Sequence, residues 1–288
     1  ESSVGDVSQE NFRIGVSAVG IEHLGDATFY NSAIARIKEL GGTPIAVEAQ
    51  RKDEKMVSDI ENLITSGVDG IVVILGNAQI LDPVFKKVRE AGIPLTTVDH
   101  ASPYSLCNAT SNNFTMTVDV VLKMASDMKG QGNYAFFWAW DGIRIAEIRK
   151  NMLEEILIDY PKIQRIGTYP EKIPGTVPAA MDTIENVLLT NPKKEDISAV
   201  FAVWDQPLIG ADKAIRAAGR TDDVKCYGID APDLLIEMAK PGSSIAAVSS
   251  QQYALMASTA VDMLFKHLAG DEVPSQVLLP TKLVTQDN

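Results

Sequence analysis

Acidic and aromatic side chains follow several short apolar runs of this sequence. The run FAVWD ends on Trp204 and Asp205, PLTTVD ends on Asp99, and KCYGID ends on Asp230. An ionised carboxylate accepts strong hydrogen bonds from hydroxyl groups, and the face of a tryptophan ring packs against C–H groups. These residue types indicate a site for a small polyhydroxylated ligand, provided that the fold brings the ends of these runs together.

Other polar residues follow the remaining apolar runs in the same way. The predicted ligand-binding residues are Glu22, His23, Asp26, Asp99, His100, Trp140, Asp141, Arg144, Glu147, Trp204, Asp205, Asp230 and Gln251. The set is rich in carboxylates and contains no lysine, so we expect it to repel an anionic ligand. We predict no catalytic residue, no metal ligand and no cofactor.

Each of these residues also has a structural interpretation. The carboxylates of Asp99, Asp205 and Asp230 stand where they would cap the turn or helix that follows. Trp204 fits a hydrophobic core as well as it fits a ligand site. The same ambiguity applies to the other members: Trp140 fits a core, and His23, Arg144, Glu147 and Gln251 fit solvated positions near helix starts. The sequence leaves both interpretations open.

The apolar runs alternate with segments of helical periodicity. FRIGVSAV, TPIAVE, GIVVILG and PLTTVD have the composition of strands buried on both faces. We predict helices between them, including one over 29–40 after the loop GIEHLGDAT and one capped by Asp82 with Pro83 in its first turn. Such alternation implies a parallel sheet with right-handed crossovers.

The alternation pauses near the segment NATSNN, residues 108–113, and then starts again. The two halves share no residue-by-residue repeat, yet each has the length of an ordinary domain. We therefore predict an α/β fold of two open lobes. Ligands of open parallel sheets bind beyond the carboxyl ends of the strands, and domain interfaces are favoured ligand sites. All the predicted residues would then meet in one cleft.

The composition of the chain excludes two classes of function, nucleic-acid binding and membrane spanning. The chain has 288 residues, of which 45% are hydrophobic, and a formal net charge of −12. Nucleic acid is excluded as a partner, because binding to phosphates requires lysine and arginine. No run of about 18 apolar residues predicts a membrane span. Cys107 and Cys226 lie far apart in sequence, and we interpret them as two independent buried thiols rather than as a disulfide.

The order and spacing of several segments resemble the type I periplasmic sugar-binding proteins, the ribose-binding-protein-like family. The segments are ARIKELGG, SDIENLITSGVDGIVV, AGIPLTTVD, TSNN, AVFAVWD, YGID and SSQQ. The resemblance covers residues 12 to about 284. It implies two Rossmann-like lobes joined by a three-segment hinge, with 11–111 plus 252–280 in one lobe and 112–251 plus 281–288 in the other. Residues 1–10 would form a polar extension.

The resemblance also implies a function. Such a protein closes on a monosaccharide or sugar alcohol in the interlobe cleft and delivers it to an ABC permease in the membrane, or signals to a chemoreceptor. We expect a periplasmic monomer whose signal peptide has been removed, or a lipid-anchored protein if the source is Gram-positive. It would not be an enzyme. The family pattern assigns ligand contacts to Asp99, Asp230 and Gln251.

Two departures from the family pattern bear on the ligand. Paired aromatics are absent from the first loop, and Glu147 stands where the family tends to carry an arginine, with Arg144 and Arg149 nearby. If Glu147 faces the cleft, carboxylates crowd a small site and demand a cation. Arg144, His100 or a ligand ammonium group would supply it. An amino sugar is therefore an alternative to a neutral sugar.

Two other function classes remain as alternatives. An α/β carbohydrate-active enzyme would use paired aspartates, but the sequence has no G-x-S-x-G elbow, P-loop or H-E-x-x-H motif. A sugar-sensing regulator core would resemble the same family, and it requires a helix-turn-helix segment of roughly 50–60 residues. The sequence contains no such segment before its first predicted strand.

Overall fold

The computed structural model describes residues 11–138, 142–230 and 232–288. These residues form two compact units. The first holds the described chain up to Thr110 together with Tyr253–Val277, and the second holds Ser111–Gln252 together with Leu278–Asn288. The chain therefore passes from one unit to the other three times.

Helices and strands alternate along most of the described chain. In order, the elements are β1 (Arg13–Ala18), α1 (Leu24–Glu39), β2 (Thr43–Glu48), α2 (Asp53–Thr65), β3 (Gly70–Ile74), α3 (Ala78–Glu90), β4 (Leu95–Val98), β5 (Cys107–Ser111), α4 (Asn113–Asp127), β6 (Gln131–Trp138), α5 (Arg144–Leu157), β7 (Lys162–Pro170), α6 (Thr176–Thr190), a 3₁₀ turn (Lys194–Asp196), β8 (Ala199–Ala202), α7 (Asp205–Ala217), β9 (Lys225–Ile229), α8 (Asp233–Met238), β10 (Ile245–Ser250), α9 (Tyr253–Leu268), β11 (Gln276–Leu279) and β12 (Lys282–Thr285).

The first unit is built on a sheet with the strand order β11-β5-β4-β3-β1-β2. The neighbours among β1 to β5 pair in parallel. Helices α2 and α3 pack together, and α1 packs against α9. Helix α9 belongs to this unit although it comes late in the chain, and the Thr96 hydroxyl of β4 donates to its Ala260 carbonyl at 3.0 Å.

The second unit repeats this winding with the order β12-β10-β9-β8-β6-β7. The neighbours among β6 to β10 are parallel, and β12 pairs antiparallel with β10. Alternate residues of β6 enter different cores: Tyr134 and Phe136 pack with α4 and α5, whereas Ala135 and Phe137 pack with α6 and α7. Burial on both faces explains why the strands read as continuous apolar runs.

The strand orders make β4 of the first unit equivalent to β9 of the second, and β5 equivalent to β10. Both units are parallel-dominated sheets flanked by helices, so the predicted fold class is confirmed. Cys107 and Cys226 are free and buried, as predicted. Burial raises the pKa of Cys107 to about 11 and that of Cys226 to about 12. None of the described helices is long and apolar enough to cross a membrane.

Three predicted elements were wrong. Helix α1 begins at Leu24 rather than at residue 29, so Asp26 lies in its first turn, where the helix dipole favours a negative charge. Helix α3 begins at Ala78, because the Asn77 side chain accepts a hydrogen bond from the Gln79 amide and caps it; Pro83 therefore lies inside the helix. The pause near residues 108–113 contains β5, which pairs with β4.

Helices α6 and α7 approach closely at Gly210. A Cβ atom there would lie 2.8 Å from the Ala180 Cβ and 2.9 Å from the Met181 amide nitrogen. We expect Gly210→Ala to destabilise the protein by about 1–3 kcal/mol through overpacking, although alanine favours a helix by roughly 1 kcal/mol. Urea unfolding measures the difference. Lys213→Ala on the exposed side of α7 is the control, and equal midpoints for both variants would contradict close packing at Gly210.

Candidate functional site

Asp99 and Asp230 occupy equivalent positions in the two units. Each residue directly follows the fourth parallel strand of its sheet, β4 or β9. Both backbones are left-handed, with φ values of 53° and 87°. Side chains are uncommon in this region, although aspartate tolerates it better than most residues do. Residues held in such conformations cluster at functional sites, so both carboxylates qualify as candidate ligand groups.

A side chain from the adjacent strand holds each of these carboxylates. The Thr110 hydroxyl, on β5, donates to Asp99 Oδ1 at 2.5 Å. The Gln251 amide, directly after β10, donates to Asp230 Oδ1 at 2.5 Å. Asp99 is 4% exposed and Asp230 is 6% exposed, so both pairs are buried. The same local arrangement therefore occurs once in each unit.

Asp230 also contacts an arginine. Arg149 Nη1 lies 3.2 Å from Asp230 Oδ1 and donates to the Val203 carbonyl at 2.7 Å, and Arg149 Nε donates to Asn113 Oδ1 at 2.8 Å. Arg149 is absent from the set predicted from sequence. The periodic signal that identifies it is its position on the buried face of α5, with Ala146 before it and Leu153 after it.

The first unit has its own ion-paired group, at the start of α1. The Arg51 guanidinium pairs with the Asp26 carboxylate, and Arg51 Nε lies 3.8 Å from Glu22 Oε2. His23 Nδ1 lies 3.5 Å from Asp26 Oδ1, and both residues are buried. Arg51 is a second arginine that the predicted set omits; it follows β2 in a left-handed conformation. Three predicted residues, Glu22, His23 and Asp26, thus lie together.

Glu147 makes contacts near the beginning of its own helix. Its carboxylate accepts from the Gly142 amide at 3.3 Å and from Arg144 Nη1 at 3.4 Å. Predicted residues Trp140 and Asp141 lie outside the described residues.

Trp204 and Asp205 mark the passage from β8 to α7. Trp204 is 9% exposed, packs in the core beside α4 and α5, and donates its indole N–H to Glu171 Oε2. Asp205 is the first residue of α7 and is fully buried. A carboxylate in the first helical turn gains from the helix dipole. The structural interpretation therefore describes part of what both side chains do, and their contact with ligand stays a prediction.

The structure contradicts the expectation that His100 supplies a cation. Its ring is buried beside Phe85, with the ring centroids 5.0 Å apart, and Nδ1 lies 3.2 Å from the Leu75 carbonyl oxygen. Burial lowers the pKa of His100, although the Asp82 carboxylate partly opposes that shift. The imidazole is therefore neutral at pH 7.

Sequence reasoning placed Asp99, Asp205, Asp230 and Glu147 together, and two of these, Asp230 and Glu147, have an arginine partner in their own unit, as does Asp26. Arg149 pairs with Asp230, and Arg51 pairs with Asp26. Arg144 pairs with Glu147. A ligand ammonium group would be needed only if several carboxylates lacked a cation. These three carboxylates each have one.

A family model described as a periplasmic binding protein domain matches residues 14–272. The chain belongs to this family. A solved subunit of an ABC sugar transporter from Rhodobacter sphaeroides 2.4.1 is 38% identical with a TM-score of 0.94, and the match covers 98% of this chain and all of that one. The chain is thus a type I periplasmic sugar-binding protein of ABC transporters.

For two further relatives of this binding protein, a ligand is known. An ABC transporter solute-binding protein from Agrobacterium vitis, solved with bound allitol, is 37% identical with a TM-score of 0.92, and the match covers 97% of both chains. The D-xylose-binding periplasmic protein of Escherichia coli (strain K12) is 27% identical over 269 residues, which are 88% of this chain and 78% of that protein. These relatives are transport proteins rather than enzymes.

We expect the stability of this binding protein to depend on pH through the buried His100. Its pKa is lowered in the folded state, so the unfolded chain binds the extra proton first. The contribution of neutral His100 to the free energy of unfolding is fully present above the ordinary histidine pKa of about 6.5. It is lost as the pH falls below that value, by up to about 1.4 kcal/mol per pH unit. We expect His100→Gln to lose less stability than the wild type between pH 7 and pH 5.

Urea unfolding at both pH values measures this difference. His267→Gln is the matched control, because His267 is exposed near the end of α9. A wild type and a His100→Gln variant with the same pH dependence would show that His100 does not stay neutral in the folded protein.

Proposed function

We propose that this protein binds a neutral monosaccharide or sugar alcohol and delivers it to an ABC permease. The observation that carries the proposal is the pair of equivalent carboxylates, Asp99 and Asp230, each buried, left-handed and held by the next strand of its sheet. A fixed carboxylate at the carboxyl end of a parallel strand is a strong acceptor for ligand hydroxyl groups.

We propose further that the ligand contacts both units. Three chain passages link the units, and a ligand bound by Asp99 and Asp230 together would shift the population towards a closed form. The permease would recognise that form. Division of the chain into two lobes with a hinge at these passages is part of the same proposal.

Charge compensation supports a neutral ligand over an amino sugar. Asp26, Glu147 and Asp230 each have an arginine partner in their own unit, so these carboxylates do not call for a ligand cation. The allitol-bound relative from Agrobacterium vitis supports the same choice, because allitol is an uncharged sugar alcohol and the two chains match over nearly their whole length.

Specificity would come from the buried polar groups. A ligand that lacks a matching hydroxyl leaves a buried acceptor or donor without a partner, which costs about 1–3 kcal/mol per group. The candidate groups in addition to Asp99 and Asp230 are Asp205 and Gln251, both buried, and the ring of Trp204. These would distinguish hydroxyl patterns among neutral sugars.

The ligand class is testable by thermal unfolding and calorimetry. We expect allitol or another neutral polyol or monosaccharide, at about 100 times its dissociation constant, to stabilise the protein by about 2.7 kcal/mol. An amino sugar of the same ring size, such as glucosamine set against glucose, should stabilise it less. Stabilisation by the amino sugar alone would establish the alternative ligand class, and no response to any carbohydrate would refute the proposal.

Asp230→Asn tests the carboxylate itself. The change keeps the size of the side chain and removes the charge that strengthens hydrogen bonds from ligand hydroxyls, so we expect the affinity for the ligand identified in that screen to fall at least tenfold. Asp222→Asn, an exposed aspartate of the same unit, is the matched control and should bind as the wild type does. Calorimetric titration gives both values. Equal affinity for Asp230→Asn would remove Asp230 from the site.

A further inference from the structure

A cavity lies in the first unit beside the amino ends of β4 and β5, and its volume is about 390 Å³. Leu95, which begins β4, and Leu106, which precedes β5, both line it. Asp99 directly follows the opposite end of β4. Small-molecule sites commonly have volumes of about 300–1,000 Å³. The cavity is therefore large enough for a small ligand and lies on the other edge of the sheet from Asp99.

Much of the cavity lining is apolar. Leu95 is 1% exposed, and Ile93, Leu106 and Tyr104 are half-buried. The Leu106 amide donates to the Leu95 carbonyl at 2.7 Å, so these backbone groups already have partners. The apolar body of a ligand would be removed from water by packing against these side chains, which favours binding.

The charged lining of the cavity is basic. Arg89 lies in the last turn of α3 and His267 in the last turn of α9, and both side chains reach the cavity. No carboxylate is among the described residues that line it. The whole chain has a formal net charge of −12, so a cavity with basic and no acidic side chains runs against the overall charge.

Arg89 has no carboxylate partner within the described part of the chain. Its Nη1 atom donates to the Pro103 carbonyl at a long 3.4 Å. By contrast, Lys87 of the same helix pairs with Glu61 at 2.6 Å. An exposed guanidinium beside an apolar lining can present two parallel N–H groups to the two oxygens of a carboxylate.

Arg89 and His267 also have a structural interpretation, because basic side chains near the end of a helix interact favourably with its dipole. They are not required as caps, however. The Arg89 carbonyl accepts from the Gly92 amide at 3.0 Å, and the His267 carbonyl accepts from the Gly270 amide at 2.9 Å. Because the backbone closes both helices, the guanidinium and the imidazole are available to a ligand.

The second unit has a cavity of about 630 Å³ at the equivalent strand starts, but its charges differ. Lys225 and Lys240 line it together with Asp222, and Lys240 pairs with Glu237 at 2.6 Å. The shared winding of the sheets accounts for the existence of both cavities. A lining with basic and no acidic side chains is a property of the first unit alone among these two.

We propose that the cavity of the first unit binds a small carboxylate with an apolar body, such as an aromatic acid. Arg89 would hold the carboxylate, His267 would donate a further N–H group, and Leu95, Leu106 and Tyr104 would pack against the ring. Inorganic anions are poorer candidates, because they cannot use the apolar lining. This site goes beyond the proposed function and does not depend on it.

Benzoate is the test ligand, followed by calorimetric titration and by the backbone amide resonances of the protein. We expect saturable binding with a dissociation constant of about 1 mM or tighter. Benzamide, which lacks the charge, and acetate, which lacks the ring, should each bind about tenfold more weakly. The amide resonances of Gly92 and Leu106, which line the cavity, should shift with benzoate.

Arg89→Gln tests the residue that carries the proposal, and it should weaken benzoate binding about tenfold. Lys86→Gln is the matched control. It removes the same charge from the same helix, but Lys86 pairs with Glu90 at 3.7 Å and is not part of the cavity lining. The control should bind benzoate as the wild type does. Equal weakening by both variants would assign the effect to overall charge and overturn the proposal.

Three further results would overturn the proposal: no saturable binding of benzoate, equal affinities for benzoate and benzamide, or shifted resonances around Asp99 instead of around Gly92. The last result would place benzoate at the candidate sugar site of the first unit. All of these measurements are made without a sugar, so their outcome is independent of whether the proposed function is correct.

Discussion

A carboxylate can lie buried in a protein only if hydrogen bonds or a cation compensate for its lost hydration. The candidate site depends on this constraint. Asp99 and Asp230 are both almost inaccessible to solvent, and each has a hydrogen bond of 2.5 Å from the neighbouring strand. Asp230 has an arginine in addition. The same contacts therefore orient these side chains and compensate for the burial of their charge.

The repeated winding of the two sheets explains why such carboxylates occur in pairs. In each unit the parallel strands have the same spatial order, and the fourth strand ends in a left-handed aspartate beside the fifth. Parallel strands present their carboxyl ends on one edge of the sheet, so this edge collects the polar residues that follow them. A chain with two such sheets therefore has two groups of similar chemistry, one in each unit.

Two buried polar side chains, Arg149 and His100, lower the stability of the fold. Arg149 Nη2 lacks a hydrogen-bond partner within the described structure, and such a group destabilises a protein by about 1–3 kcal/mol. Burial lowers the pKa of His100, so we expect the fold to lose stability in acid. Natural proteins retain features of this kind where function requires them, and Arg149 contacts Asp230, the carboxylate that we propose as a ligand group.

The sequence by itself determined the class of the fold and supplied the candidate ligand groups. Continuous apolar runs between helical segments specify a parallel sheet, because only strands covered on both faces tolerate them. The residues that end these runs, Asp99, Asp205 and Asp230, mark the edge of each sheet that we propose as the ligand site. Local patterns are sufficient for these conclusions because they depend on residues close together in the chain.

Only the tertiary structure decided which charges face each other. Arg149 and Asp230 lie 81 positions apart in the chain, and helical periodicity places Arg149 on the buried face of α5 without indicating which residue it pairs with. Arg51 and Asp26 likewise meet only in the folded chain, because Asp26 lies in the helix after β1 and Arg51 follows the paired strand β2. Electrostatic compensation acts through space, so the sequence indicated several carboxylates close together, whereas only the folded chain shows that Asp26, Glu147 and Asp230 each have an arginine partner.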